Sequence, residues 1–410
     1  MVLKLSPLAP KKFKKLNQIP GISVASIHCG FKNNGNDDLV LIKFDKPAKI
    51  FGSFTRSTTP GAPIIWNKSI ISKHLVSVIL INSGNANVFN GKKGEEAVQE
   101  IVKFLSVKMS VNKKEIYIAS TGIIGELLDP KKIISKIPNL IKKLKNDSIS
   151  WFKAANAIRT TDTFPKLYSE QIKISNSEKI LINGIAKGSG MIAPNMATML
   201  SFIFTNADVN IKEFKKVFRR LVDKTFNSIT VDSDTSTSDM VLFISLQGIS
   251  KQKFNALEKQ KIIEKIENLM MELAQLIVRD GEGASKFISI SISGTKNDSM
   301  AKRIALSIAN SPLFKTAMAG SDSNWGRIIM AIGKEKVKIN TEKISIKFGK
   351  YFVVKNGVSL INRDTKSINK YLKRKEIELS IKVGDGRGKS KVWTCDLTKE
   401  YIKINADYRS

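Results

Sequence analysis

Thr198 lies between Ala197 and Met199, where a glycine-rich turn, Lys187-Gly-Ser-Gly-Met-Ile-Ala-Pro-Asn-Met-Ala-Thr198, runs into the apolar segment Met199-Leu-Ser-Phe202. A hydroxyl in a run otherwise suited to burial needs either a hydrogen-bond partner or a task. Gly188 and Gly190 let the backbone pass close to another segment or a ligand, and Pro194 removes a donor and stiffens the approach. The chemistry this suits is delivery of one hydroxyl as a nucleophile. The same Met-Ala-Thr-Met-Leu run also reads as a core strand, in which threonine sits comfortably.

Three other clusters could act with that hydroxyl. Ala119-Ser-Thr121-Gly122-Ile-Ile-Gly125 follows a strand-like run and precedes a helical one, so it can turn a hydroxyl and a backbone N–H toward one point, as an oxyanion hole requires, or simply cap a turn. Arg159-Thr160-Thr161-Asp162-Thr163 could cap a turn or bind a carboxylate. Gly281-Glu282-Gly283 sets a carboxylate between two glycines, where it could hold an amino group and help a proton move, or serve as a loop residue.

Other patterns exclude more than they offer. Only His28 and His74 are present, so an H-E-x-x-H site is absent and a serine triad would have to use one of these two. Cys29 and Cys395 have no zinc spacing and read as structural thiols. Val231-Asp-Ser-Asp-Thr-Ser-Thr-Ser-Asp239 lacks the glycine and glutamate of a calcium loop, so no metal is expected. Gly384-Asp-Gly-Arg-Gly388-Lys389-Ser390 ends like a phosphate-binding loop, but its glycine spacing is short and a strand-like run follows it. A hairpin turn is expected there, without ATP.

These stretches occur in one order along the chain, together with Ala317-Met-Ala-Gly-Ser-Asp-Ser323-Asn-Trp-Gly-Arg327, Cys395-Asp-Leu-Thr398 and Ile404-Asn405-Ala-Asp-Tyr-Arg-Ser410. In that order they resemble the ornithine acetyltransferases of arginine biosynthesis, also called glutamate N-acetyltransferases. The chain departs from the family pattern at Ser323, where proline is usual, at Ser410, where threonine is usual, and slightly at Ser238 and Met240. The resemblance implies that the Ala197–Thr198 bond is cut autocatalytically and that the new amino-terminal Thr198 carries acetyl. It assigns oxyanion stabilisation to Thr121 and Gly122, and substrate contacts to Thr160, Lys187, Thr198, Glu282, Asn405 and Ser410. N-acetylornithine and glutamate are the implied substrates and no cofactor is implied, with acetyl-CoA left open as a second acetyl donor.

The implied fold is a layered α/β sandwich of mixed sheets and helices, self-cleaved into two intertwined chains. The resemblance implies that residues 1–197 form an α chain with the oxyanion loop and residues 198–410 a β chain that begins at the nucleophile. Association into a heterotetramer of two α and two β chains is expected. The nearest rival is a related self-processing amidohydrolase or peptidase, in which water replaces the amino acceptor. A basic nucleic-acid-binding protein is the distant one.

The elements that must position these residues are legible in the periodicity. Segments 22–29, 38–43, 76–81 and 115–119 are β-branched and apolar, while Gly94–Ser110 and Pro130–Lys145 have helical spacing. After Thr198, Ile211–Phe226 and Phe254–Asp280 read as amphipathic helices, and strands are expected at 287–293, 343–347, 351–354 and 377–382. With 410 residues and no linker or internal repeat, the substructures should pack intimately. The terminal motif is expected to be ordered and functional.

Composition carries one distraction. The formal net charge of +32 invites a nucleic-acid reading, but the lysines are spread along the whole chain without a basic stripe or interleaved aromatics. They are read as solvated faces that draw anionic substrates toward a cleft. No apolar run is long enough to span a membrane, and prolines and lysines interrupt the amino-terminal segment where a secretory signal needs an apolar core. A cytoplasmic location is therefore expected.

Overall fold

The computed structural model describes residues 4–174, 179–193, 199–247, 254–360 and 365–406. The first half of the chain supplies β1 (Ile22–Ile27), β2 (Leu39–Phe54), α1 (Ala62–Ile70), β3 (Leu75–Asn85), α2 (Gly91–Met109), β4 (Ile116–Ile123), α3 (Pro130–Lys142), α4 (Ser148–Ala157), β5 (Lys166–Lys173) and β6 (Lys179–Lys187). Then come β7 (Leu200–Thr205), α5 (Ile211–Lys224), β8 (Met240–Ser245), α6 (Ala256–Arg279), β9 (Phe287–Thr295), α7 (Asp298–Ala309), α8 (Pro312–Ala319) and α9 (Trp325–Gly333). The last elements are β10 (Ser345–Phe348), β11 (Tyr351–Lys355), β12 (Val358–Ser359), α10 (Thr365–Leu372), β13 (Glu376–Lys382), β14 (Gly388–Cys395) and α11 (Lys399–Ala406). The strands and helices expected from periodicity all appear, with ends shifted by a few residues except in β2, expected to stop at 43 but running on to Phe54.

Eight strands form one mixed sheet in the order β4-β3-β2-β8-β7-β6-β5, with β1 paired to β2. The β3–β4 and β7–β8 pairs are parallel and the others antiparallel. Strand β2 governs its shape. Its first half pairs with β1 and β3, its register shifts between Lys43 and Ala48, and its second half pairs with β8. Such an irregularity bends a strand, and the two halves of the sheet fold over to face one another.

The side chains record this folding through their period of two. Val40, Ile42, Ile79, Ile81 and Tyr117 share one core with Ile185, Phe202, Phe204 and Leu242 from the other half. The rings of Phe44 and Phe204 meet within it, 6.2 Å between centroids. The alternate residues Leu39, Leu41, Val78, Leu80 and Ile118 turn outward onto α2 and α3. Ile182, Ile203, Val241 and Phe243 turn outward onto α5 and α6. The layers therefore run helix, sheet, sheet, helix, as the α/β sandwich reading expects.

Helix α6 shows why these segments form as they do. Asn255 caps it with a reciprocal bond to Glu258. Its buried Ile262, Ile266, Leu269, Leu273 and Ile277 recur at helical spacing. Each such side chain contributes roughly 1.5–3 kcal/mol of burial.

The second sheet has the order β12-β11-β10-β13-β9-β14 and packs α7 to α10 on one face. From β9 and β14, Phe287, Trp393 and Cys395 point to the other side and join the core under α6. Residues 384–387 do not close the expected hairpin. β13 pairs parallel with β9 and β14 pairs antiparallel with it, so the connection crosses the end of β9. Glycine is needed where the backbones touch: a Cβ at Gly386 would stand 2.0 Å from Thr295 O. Cys29 and Cys395 are both free and buried, as expected of structural thiols.

Candidate active site

By the same alternation, Thr121 at the end of β4 and Lys187 at the end of β6 point into the space between the two sheet halves. They meet at its open edge. Here a cleft of about 270 Å³ is lined by residues from eight separate stretches of chain. Thr121, Gly122, Thr160, Lys187, Glu282 and Asn405, all singled out from the sequence, lie on its walls, as do Thr161, Gly190 and Met199. Ala197, Thr198 and Ser410 lie outside the described residues. Met199, the residue after Thr198, accepts a bond at its carbonyl from Met240 N at 2.9 Å.

Lys187 organises one wall. Its Nζ donates to Thr160 Oγ1 at 2.8 Å and to Thr121 Oγ1 at 3.2 Å. A lysine ammonium only donates, so both hydroxyl oxygens are fixed as acceptors and their own O–H groups are left to donate elsewhere. Thr121 and Lys187 are each buried. Burial lowers the Lys187 pKa from its ordinary value, opposed mainly by the nearby Asp162 carboxylate. Gly122 has φ of +132°, and a Cβ there would lie 2.3 Å from the Gly84 carbonyl carbon, so glycine is required.

Behind this wall is a buried charge network that the sequence reading missed. Lys166 is fully buried and donates to Asp162 Oδ1 and Asp280 Oδ2, both at 2.6 Å. Asp162 also accepts from Gly188 N at 2.6 Å and Thr160 N at 3.0 Å. Burial would raise the Asp162 pKa, but Lys166, Lys187 and the Gly188 N–H outweigh it and hold it well below the usual carboxylate range. Asp162 thus ties the Thr160 loop to the start of the glycine-rich strap. It stood within the quoted Thr160–Thr163 segment, but its partners lie far away in sequence.

The opposite wall carries Glu282 and Asn405. Asn405 Nδ2 donates to Glu282 Oε2 at 2.8 Å. Helix α11, which carries Asn405, is set against the Gly281–Gly283 loop by the bond from Thr398 Oγ1 to Gly283 O at 2.7 Å. The strap meets the same carboxylate: Glu282 N donates to Ser189 O at 3.0 Å, and a Cβ on Gly190 would lie 2.4 Å from the Glu282 carboxyl carbon.

Asp232, also missed, clamps the strap. It accepts from Met191 N at 2.5 Å and Ile192 N at 2.8 Å, and Tyr401 Oη donates to it at 3.4 Å. Met191 adopts a left-handed φ of +58°, a conformation that this clamp holds. Burial raises the Asp232 pKa to about 6, against the two strap N–H bonds. No group of three His, Cys, Asp or Glu among the described residues could hold a metal ion.

A folded mixed sheet sheathed in helices, with a small polar cleft at its open edge carrying a cation, a carboxylate and inward hydroxyls, defines an α/β protein built to hold a small charged molecule beside the strap. The comparisons give the family. The chain belongs to the ArgJ family, whose model matches residues 23–410. The arginine biosynthesis bifunctional protein ArgJ of Bartonella henselae is 42% identical over 418 residues, covering 100% of both chains. That of Zymomonas mobilis is 42% identical over 413 residues with the same coverage. Among solved structures, the arginine biosynthesis bifunctional protein of Bacillus halodurans is 36% identical with a TM-score of 0.49, covering 52% of this chain and 100% of that one. The family read from the ordered motifs is the family found. No helix among the described residues is long and apolar enough to cross a membrane.

Proposed function

We propose that this chain takes acetyl from N-acetylornithine and passes it to glutamate through an acetyl ester on Thr198. The observation that carries the reading is the convergence of Thr121, Gly122, Thr160, Lys187, Glu282 and Asn405 on one cleft whose wall includes Met199. In the precursor, Thr198 Oγ attacks the Ala197 carbonyl, the peptide C–N bond breaks, and water hydrolyses the resulting ester. The freed α-amine of Thr198, with an ordinary pKa of about 7.7–8.0, then serves as base for its own hydroxyl, so no histidine is required.

In the first half-reaction Thr198 Oγ attacks the acetyl carbonyl, its proton passes through the α-amine to the leaving nitrogen, and ornithine departs. In the second, the neutral amine of glutamate attacks the ester and Thr198 Oγ recovers its proton. Thr121 Oγ–H and the Gly122 N–H stabilise the oxyanion in both steps. Lys187 receives the α-carboxylate, Glu282 with Asn405 holds the α-nitrogen, and Thr160 and Ser410 complete the contacts. No resident cofactor is needed, and acetyl-CoA is a second candidate donor.

Two further points belong to the same reading. Strands β7 and β8, which follow Thr198, sit between β2 and β6, which precede it. This supports a cut protein whose residues 1–197 and 198–410 stay intertwined, associating as two α and two β chains in the cytoplasm. The test is isotope exchange without glutamate. Labelled ornithine should enter N-acetylornithine, as a ping-pong acetyl-enzyme requires, whereas steady hydrolysis without exchange would point to the amidohydrolase alternative.

A further inference from the structure

The segment Ser236–Asp239 lines the cleft and had no role in the reading above. Its backbone is tied to the loop behind it: Thr55 Oγ1 donates to Ser236 O at 2.7 Å, Gly61 N to Thr237 O at 3.0 Å, and Thr55 N to Asp239 O at 3.0 Å. The side chains are treated differently. Thr237 Oγ1 and Ser238 Oγ are buried atoms with no hydrogen-bond partner among the described residues, and Ser238 as a whole is only 9% exposed. Two adjacent buried hydroxyls on a fixed backbone, lining a cleft and unpaired among the described residues, are what a ligand's polar group would satisfy.

We propose that Thr237 and Ser238 form the subsite for the side-chain end of the amino acid, and that their neutrality lets one site serve two substrates of opposite charge. The inference rests on the acetyl-transfer reading. On that reading both amino acids present a carboxylate and a nitrogen at the α-carbon, which Lys187 and Glu282 meet. Their side chains end in opposite charges, an ammonium in ornithine and a carboxylate in glutamate. A fixed charge at that end of the cleft would favour one and repel the other. A hydroxyl donates to a carboxylate and accepts from an ammonium by rotating about one bond. The Asp239 carboxylate at the end of the segment acts on Lys187 and so belongs with the fixed charges of the cleft.

The test uses the full-length protein and separates the two half-reactions. N-acetylnorvaline and norvaline, which lack the charged end, serve as reference donor and acceptor. The double variant Thr237→Val with Ser238→Ala should lower kcat/KM for N-acetylornithine and for glutamate by roughly ten- to hundredfold each, the scale of a hydrogen bond to a charged group, and leave the norvaline pair unchanged. Ser238→Asp should move KM in opposite directions, down for N-acetylornithine and up for glutamate. Losses of equal size on all four compounds, or a Ser238→Asp change of the same sign for both substrates, would overturn the subsite while leaving acetyl transfer standing. A wild-type protein that processes itself but transfers no acetyl would overturn both.

Discussion

Lys187 donates a hydrogen bond to Thr121 at 3.2 Å, although their strands, β6 and β4, have four others between them in the sheet order. In a flat sheet with strands spaced about 4.8 Å apart, such residues would stand roughly 24 Å from each other. The contact exists because β2 bends and folds the sheet halves together, and the cleft is the edge that this folding leaves open. Replacing Thr121 by Val should cost roughly 2.7–4 kcal/mol of transition-state stabilisation, a loss of about 10²–10³ in kcat. Thr121→Ser should recover most of it, and steady-state kinetics on processed enzyme would read both.

Gly190→Ala should damage function more than folding. The added Cβ meets the flexible end of Glu282 rather than backbone, so the carboxylate shifts and the protein stays folded. We expect a change in Tm of a few degrees at most, with KM for glutamate raised and kcat lowered. Gly122→Ala makes the contrast, since its Cβ would meet the Gly84 backbone at a positive φ, and both stability and activity should fall.

Asp162→Asn leaves Lys166 buried with one carboxylate partner fewer. Breaking a buried pair in this way typically costs about 3–5 kcal/mol, and urea denaturation should show a loss of that size. The same carboxylate gives an acid dependence. Its folded pKa is depressed below its unfolded value, so its stabilisation is present above the ordinary aspartate range and is lost as pH falls through and below it.

Asp232 has the opposite sign. Its folded pKa of about 6 lies above the ordinary 3.8, so its term favours the folded state fully below pH 3.8 and is lost as pH rises through 6. The size is roughly 3 kcal/mol. Asp232→Asn should flatten the Tm-versus-pH curve across that window. It should also slow processing of the strap, because the amide offers one acceptor oxygen where Met191 N and Ile192 N use two. An unchanged curve would remove Asp232 from this role.

The sequence was informative about what is local. The amphipathic repeats of α2 and α6 and the β-branched runs of β1, β3 and β9 declared themselves, and the ordered motifs named six residues that share the cleft. Relations between distant segments were not legible. Nothing in 384–390 revealed that β9 separates β13 from β14, because consecutive strands ordinarily pair and here a parallel partner intervenes. Lys166, Asp280 and Asp232 looked like members of a large charged population. Only folding shows that they are buried and which N–H groups they hold. The hydroxyls of Thr237 and Ser238 stood in a segment recognised as a family match, but that they lack partners among the described residues is visible only in the folded structure.

The central claim is that Thr198, once freed by cleavage, carries acetyl. The most direct measurement is the intact denatured mass of purified protein, before and after brief exposure to N-acetylornithine, beside a Thr198→Ala control. The account predicts two fragments meeting at Ala197 and Thr198, one acetyl group gained by the fragment that begins at Thr198, its loss on adding glutamate, and an uncut control. A single uncut chain in both proteins, or a cut chain that gains no acetyl while consuming N-acetylornithine, would contradict it.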